Sequence, residues 1–490
     1  MINDIKLEKN NFTVKLQKIT LHNFKNVEKG EILFQSYIER EKISKKIKQN
    51  KKNNEDNEEF NYDNEDNEEV KSDIVGLYGQ NGSGKTSLVD ALNLLKVILS
   101  GEDIPEYARE LIGHKTLSTK LEFIFYIKHA NFGSIEEQLV FYDFEMMRIE
   151  EKINIIKENL SYQIIDNGEI LRKSSIIEFD INDKEIIKPR KRISEISKKG
   201  YSKSDIAVGK ELSQIRSTSF IFANKILKML PNAIEESKLS IEALNNFAKN
   251  NLIVIRNDRL RAQNGNDPIP FNLIIYNNKL LNEYLVAYKD NLNLSMNEFN
   301  TIKKTINQIN IVINALIPGL QIKINEIGDK TLSNGESGKM IELLSERENK
   351  KIPLVCESDG IKKIIAILSA MIAMCNDENV CLVVDELDAG IYEYLLGELV
   401  YVLEESAQGQ FIFTSHNLRV LETLSKDAIV FTTTNPLNRY LRFANVKNTN
   451  NLRDYYIRSI VLGGQKEELY DETDRYDIGF AFYDAWEDSI

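Results

Sequence analysis

The sequence predicts an α/β fold: a buried mixed sheet joined to an antiparallel β subdomain, with a helical subdomain inserted between its two halves. Three observations carry that expectation. Gly79 to Thr86, reading Gly-Gln-Asn-Gly-Ser-Gly-Lys-Thr, lies between a short apolar run and a helical pattern. A second apolar run, from Val380 to Val384, ends in Asp385 and Glu386. Between them, Leu121 to Lys128, Gln138 to Met147, Lys152 to Ile165 and Leu171 to Phe179 alternate like the strands of an antiparallel meander.

The octet fits the G-x-x-x-x-G-K-[ST] pattern of a phosphate-binding loop. Ile74 to Tyr78 reads as the strand that must precede it, and Leu88, Ala91, Leu92, Leu95 and Leu99 recur at helical spacing behind it. The candidate nucleotide-binding residues are Gly79, Asn81, Gly82, Ser83, Gly84, Lys85, Thr86 and Ser87. Glycines let successive N–H groups turn inward around phosphate oxygens, and the helix N-terminus adds partial positive charge. Lys85 is expected to reach the β- and γ-phosphates, and Thr86 to place its hydroxyl on Mg²⁺. A nucleoside triphosphate is the expected ligand.

The whole-chain balance fits such a protein. At 490 residues, 42% hydrophobic and 28% charged, the chain has the makeup of a globular protein with several core-forming pieces. No stretch has the length of a membrane span and no signal-peptide pattern follows Met1, so a cytoplasmic location without membrane contact is expected. Cys356, Cys375 and Cys381 form no C-x-x-C pair, which argues against a disulfide framework or a zinc hook. A net charge of −12 argues against a surface coated uniformly for nucleic acid.

Four pieces are expected along the chain. Residues 1–205 form an N-terminal lobe with the P-loop and the meander. Phe12, Val14, Leu16, Ile19 and Leu21 open it as a strand that ends at Asn23-Phe24-Lys25-Asn26, and Ile32-Leu33-Phe34 follows. Residues 41–71 are expected to be a disordered loop, Lys-rich and then acidic, with Asn-Glu-Asp-Asn-Glu-Glu at 54–59 and again at 64–69. Asp166-Asn167-Gly168 supplies a hairpin turn. The basic run 184–203, including Arg190, Lys191 and Arg192, reads as a solvated loop. Residues 206–320 form the helical insertion. Leu280, Leu281, Tyr284 and Leu285 suggest one helix there, and Ile302, Ile306, Ile309, Ile313 and Leu316 another that stops at Pro318-Gly319. Residues 321–445 form the C-terminal lobe, and 446–490 an acidic, aromatic segment that reads as a helix docking on its own chain or as a partner-binding surface.

The hydrolytic residues follow from strand ends. Asp385 is placed to hold Mg²⁺ as the counterpart of Thr86, and Glu386 to orient the attacking water. Gln410 to Thr414 is a further buried strand, leading to His416, and ligands bind beyond the carboxyl ends of such strands. Lys85, Glu386 and His416 make the candidate catalytic set. Ser358-Asp359-Gly360 opens a helix and offers a second anion-binding surface that need not face its own P-loop.

Together, Asn23-Phe24-Lys25, Gly79 to Thr86, Ser358-Asp359-Gly360, Asp385-Glu386, Asp388 and His416 resemble an ABC-type ATPase of the RecF/SMC/Rad50 lineage. The resemblance implies ATP and Mg²⁺ as cofactors and a head-to-tail homodimer or higher oligomer. In it the trans signature residues Ser358, Asp359 and Gly360 of one copy close on ATP held by the other, and Asp388 is the D-loop residue between the two sites. The signature looks like that of stand-alone ATPases of bacterial phage-defence operons, such as the PARIS and abortive-infection L systems. That implies a sensor or regulatory subunit controlling a separate effector, a nuclease or toxin.

Two other readings are open. One is a RecF-like repair ATPase that clamps DNA, which leaves nucleic acid open as a partner. Another is a single-chain toxin, for which Arg109 and His114 match an R-x4-H spacing. Thr331 to Glu336 and Leu462 to Gln465 resemble signature sequences in letters only; the first leads into a strand, and the second follows Asp385 and His416.

Overall fold

The computed structural model describes residues 12–53, 74–113, 116–131, 134–149, 152–256, 270–277, 280–287, 292–332, 335–443, 451–462, 466–471 and 473–487. Its centre is a six-stranded sheet in the order Tyr440–Leu441, Ile429–Thr432, Ile74–Tyr78, Gln410–Thr414, Cys381–Val384, Leu252–Ile255. All neighbours in it are parallel except the first pair. Its apolar runs are buried on both faces, as parallel strands covered by helices require. The P-loop strand lies inside the sheet, so the loop after it opens at the carboxyl edge, where Asp385, Ser415 and Arg256 also emerge.

A second, seven-stranded antiparallel sheet runs Val27–Leu33, Phe12–Phe24, Ser118–Asn131, Ser134–Ile149, Lys152–Asp166, Glu169–Ile170, with Ser174–Asp180 also on Lys152–Asp166. Its Asn167 and Gly168 have φ of 47° and 79°, the left-handed pair that a tight hairpin turn demands. The buried amide of Gln410 joins the two sheets. Its Oε1 accepts the Leu16 N–H at 2.7 Å and its Nε2 donates to the Leu16 carbonyl at 2.8 Å. One apolar core, with Leu21, Phe123, Phe144 and Leu92, fills the space between the sheets. A second, with Ile309, Ile365, Leu382 and Phe413, lies on the other face of the parallel sheet.

The expected ABC-type head, mixed sheet plus antiparallel subdomain plus helical insertion, is borne out by this architecture. Several local expectations are corrected. Residues 41–53 are not loop: Gln35–Asn53 is a helix. Its polar sequence is held from outside, since Ser44 Oγ accepts the Ile170 N–H at 2.9 Å and Lys48 Nζ donates to the Ile170 carbonyl at 2.6 Å. Residues 54–71 lie outside the described residues. Leu280–Ala287 is a strand paired with Pro270–Asn277, not a helix; its paired leucines fit either period, and the hairpin partner decides. The helical stretch after Lys203 also returns to the sheet, because Leu252–Ile255 pairs with Cys381–Val384.

Arg192, in the basic run, is buried in the short helix Lys191–Lys198, with its guanidinium on the Ile176 carbonyl at 2.9 Å and Glu195 at 2.8 Å. In the C-terminal segment the helix Leu452–Leu462 docks on the chain, with Leu452 and Tyr456 buried, whereas the described side chains of the helix Arg475–Glu487 are exposed. Tyr476, Phe480, Phe482 and Tyr483 on it are exposed. Among the described residues, no helix is long and apolar enough to cross a membrane.

Candidate nucleotide site

The P-loop has the backbone its glycines allow. Gly82 and Gly84 have φ of 74° and 95°, in the region that a side chain disfavours. At Gly79 a Cβ would lie 1.8 Å from Thr432 Oγ1, so only glycine fits against the neighbouring strand. Lys85 curls back over the loop, its Nζ 2.8 Å from the carbonyls of both Gly79 and Gln80. Asn81, Gly82 and Thr86 are exposed at the mouth, whereas Ser83, Gly84 and Ser87 are buried. Ser87 Oγ donates to Asn26 Oδ1 at 2.9 Å, and Asn26 Nδ2 donates to the Gly82 carbonyl. The turn after the first strand is thereby bound to the loop.

The acidic wall stands opposite. Asp385 Oδ1 accepts from Thr414 Oγ1 at 2.6 Å, and the same hydroxyl accepts the Glu386 N–H at 2.7 Å. His416 N donates to Asp388 Oδ2 at 3.1 Å. Burial pushes the Asp385 carboxyl up, and the charges of Glu386 and Asp90 add to the shift while Thr414 opposes it. Burial likewise lowers Lys85 to about 8, against the attraction of Asp385, Asp388 and Glu386. Burial lowers His416 too, with Lys85 acting in the same direction.

This arrangement fits Mg²⁺ with a triphosphate. A crowded, partly desolvated carboxyl is relieved by a cation, and Mg²⁺ characteristically takes one or two protein oxygens plus phosphates and water. Asp385 and Thr86 are the residues that would hold it.

The structure therefore gathers Lys85, Asp385, Glu386, Asp388 and His416 around one loop. Ser358, Asp359 and Gly360 open the helix Asp359–Asn376, where Ser358 Oγ caps the Ile361 N–H at 3.4 Å. Ser358 and Asp359 are exposed; Gly360 is buried against Gly390, whose carbonyl would lie 1.8 Å from a Cβ.

Sequence reading missed four members of the site. Thr414 could have been found as the lone hydroxyl inside the apolar strand Gln410–Thr414. Thr432, beside the P-loop, follows the same pattern in Ile429–Thr432. Asp90, buried in the P-loop helix, pairs with Lys25 at 2.7 Å and with Arg256 at 3.4 Å. Arg256 leaves the strand beside Asp385 and carried no sequence signal. Lys25, Asp90, Arg109, Arg148 and Arg256 line a cavity of about 820 Å³ next to the site. Arg109 is in the short 3₁₀ helix Glu106–Leu111, and His114 lies outside the described residues.

Residues 176–422, just over half of the chain, match the family described as "AAA domain, putative AbiEii toxin, Type IV TA system". The chain belongs to this family. No curated protein matches it. Among solved structures, this AAA protein is similar to an Smc head bound to the C-terminal winged-helix domain of ScpA, with 13% identity and a TM-score of 0.41, covering 88% of this chain and 98% of that one. It is similar to the SMC head domain from Thermotoga maritima at 13% identity and TM-score 0.34, covering 88% and 99%. RecF of the RecFOR pathway, in complex with a nucleotide, matches at 14% identity and TM-score 0.34, covering 86% and 99%.

Proposed function

We propose that this AAA protein binds and hydrolyses ATP, dimerises head-to-tail on it, and acts as the regulatory subunit of an anti-phage, abortive-infection system that controls a separate toxic effector. One observation carries the ATPase reading. A lysine, two strand-end carboxylates, a D-loop aspartate and a histidine converge on a P-loop with its expected backbone. Glu386 orients the water and His416 contacts the γ-phosphate, while Lys85 neutralises charge developing there. The exposure of Ser358 and Asp359, on a helix start packed against Gly390, supports their meeting a second copy. The family's description, with its toxin and type IV toxin–antitoxin system, supports the defence role.

The test is Glu386→Gln. With ATP it is expected to accumulate a nucleotide-bound dimer or higher oligomer in light scattering, since binding is kept and turnover lost. A monomer at saturating ATP would reject the dimer reading. Co-purification from the native host, with and without phage challenge, tests the effector.

The second reading is a RecF-like clamp on DNA. The basic lining of the 820 Å³ cavity favours it. ATP-dependent, salt-sensitive binding of duplex DNA would establish it over the first.

A further inference from the structure

Lys363 is buried, less than one turn after Gly360 in the helix Asp359–Asn376, and its ammonium donates to the backbone carbonyl of Glu386. Glu386 itself has φ of 45°, a left-handed conformation that a glutamate adopts only where its surroundings hold it. Thr414 Oγ1 takes its N–H at 2.7 Å, the Ala389 N–H reaches its carbonyl at 3.0 Å, and Lys363 holds the same carbonyl. The helix carrying Lys363 is also fixed to the D-loop, because Gly360 packs with no room for a Cβ on Gly390. Asp388, between Glu386 and Gly390, accepts the His416 N–H at 3.1 Å. The helix start, the D-loop and the peptide of Glu386 are thus one contiguous contact set.

We infer that Lys363 is a positioning residue that couples the two nucleotide sites of the dimer. It ties the helix whose start would meet the partner copy's triphosphate to the backbone that aims this chain's own Glu386. Displacement of Ser358–Gly360 on engagement is passed through Lys363 to the Glu386 peptide, so each copy's carboxylate is set by the other copy's nucleotide. A buried ammonium that merely satisfies a carbonyl would affect stability and not the split between binding and turnover. The inference rests on the head-to-tail reading above, whose own failure is read separately, as a Glu386→Gln protein that stays monomeric at saturating ATP.

Steady-state ATP turnover, nucleotide affinity and thermal melting are measured for full-length wild type, Lys363→Met and Lys363→Arg. Lys363→Met is expected to lower kcat at least about tenfold with the ATP Kd within about twofold of wild type, and Lys363→Arg to recover part of kcat. A folded Lys363→Met with wild-type kcat overturns the inference. So does a parallel loss of kcat and affinity, which would make Lys363 structural only. If Lys363→Met does not fold, Lys363→Gln is read in its place: a kcat loss at unchanged Kd supports the coupling and an unchanged kcat overturns it. Wild-type protein without ATP turnover would instead overturn the ATPase reading, and this inference with it.

Discussion

Gln80 and Asp471, at opposite ends of the chain, hold each other by two hydrogen bonds: Gln80 Nε2 to Asp471 Oδ2 at 2.6 Å, and Asp471 N to Gln80 Oε1 at 2.9 Å. Gln80 is the second residue of the P-loop, so the C-terminal segment is fastened to the nucleotide site itself. Glu468 and Glu467 extend the fastening, through the Thr434 N–H at 2.8 Å and through the amides of Asn435 at 2.8 Å and Asn438 at 2.9 Å. Leu469, between Glu468 and Asp471, is buried.

This places a carboxylate beside the loop proposed to hold a triphosphate. Asp471→Asn keeps the backbone half of the pair and removes the charge. It is expected to tighten ATP binding about two- to five-fold at low salt, less at high salt, as a partly screened charge at this range would. Isothermal titration at two ionic strengths checks it; unchanged affinity at both would show that Asp471 exerts no field on the phosphates.

Lys85→Ala removes the cation that lies over the loop carbonyls. ATP affinity is expected to fall by at least about 3 kcal/mol, roughly two orders of magnitude. Equilibrium dialysis with labelled ATP reads this directly, and wild-type affinity in the variant would move the phosphate site elsewhere.

Ser358→Arg separates the two halves of the proposed active unit. Turnover is expected to fall about 10²–10³-fold, the usual cost of one preorganised stabiliser, while ATP binding to the monomer is kept. Losing the helix cap should also cost about 1 kcal/mol in urea unfolding. Normal turnover would place Ser358 away from the nucleotide.

Glu158 supplies a pH test of the fold. Its buried carboxyl accepts from Tyr142 at 2.7 Å, Ser219 at 2.6 Å, the Phe220 N–H at 2.8 Å and the Ile221 N–H at 3.2 Å. Burial raises its pKa, against the opposing pull of these donors. A raised folded-state value means stability is complete below the ordinary carboxyl range and declines as pH climbs through the folded-state pKa. Relative to Glu158→Gln, wild type should therefore lose stability as pH rises from about 4.5. Glu158→Ala, which orphans the donors, should cost about 3 kcal/mol or more at pH 4, and less as pH rises. Urea midpoints across pH 4–8 give both numbers.

Most of the candidate site was legible because its residues are local in sequence. A P-loop must be contiguous, and Asp385, Glu386 and His416 follow short apolar runs whose β-branched and aromatic residues favour buried strands. The long-range members were not legible. Thr414 matters because Asp385 is beside it in the sheet, Asp90 because Lys25 and Arg256 converge on it, and Asp471 because the chain returns to Gln80. The helix Gln35–Asn53 was misread for the same reason: its own residues bury little, and its anchors are on Ile170.

The sequence by itself determined the phosphate loop, the strand-end carboxylates and the α/β class, since each depends on residue order within one turn or one strand. Only the tertiary structure decided that Gln410 staples the two sheets, that Lys363 reaches Glu386, and that the tail reaches the P-loop. Those depend on contacts between residues far apart in the chain, and backbone periodicity says nothing about which distant partner will satisfy a buried polar group.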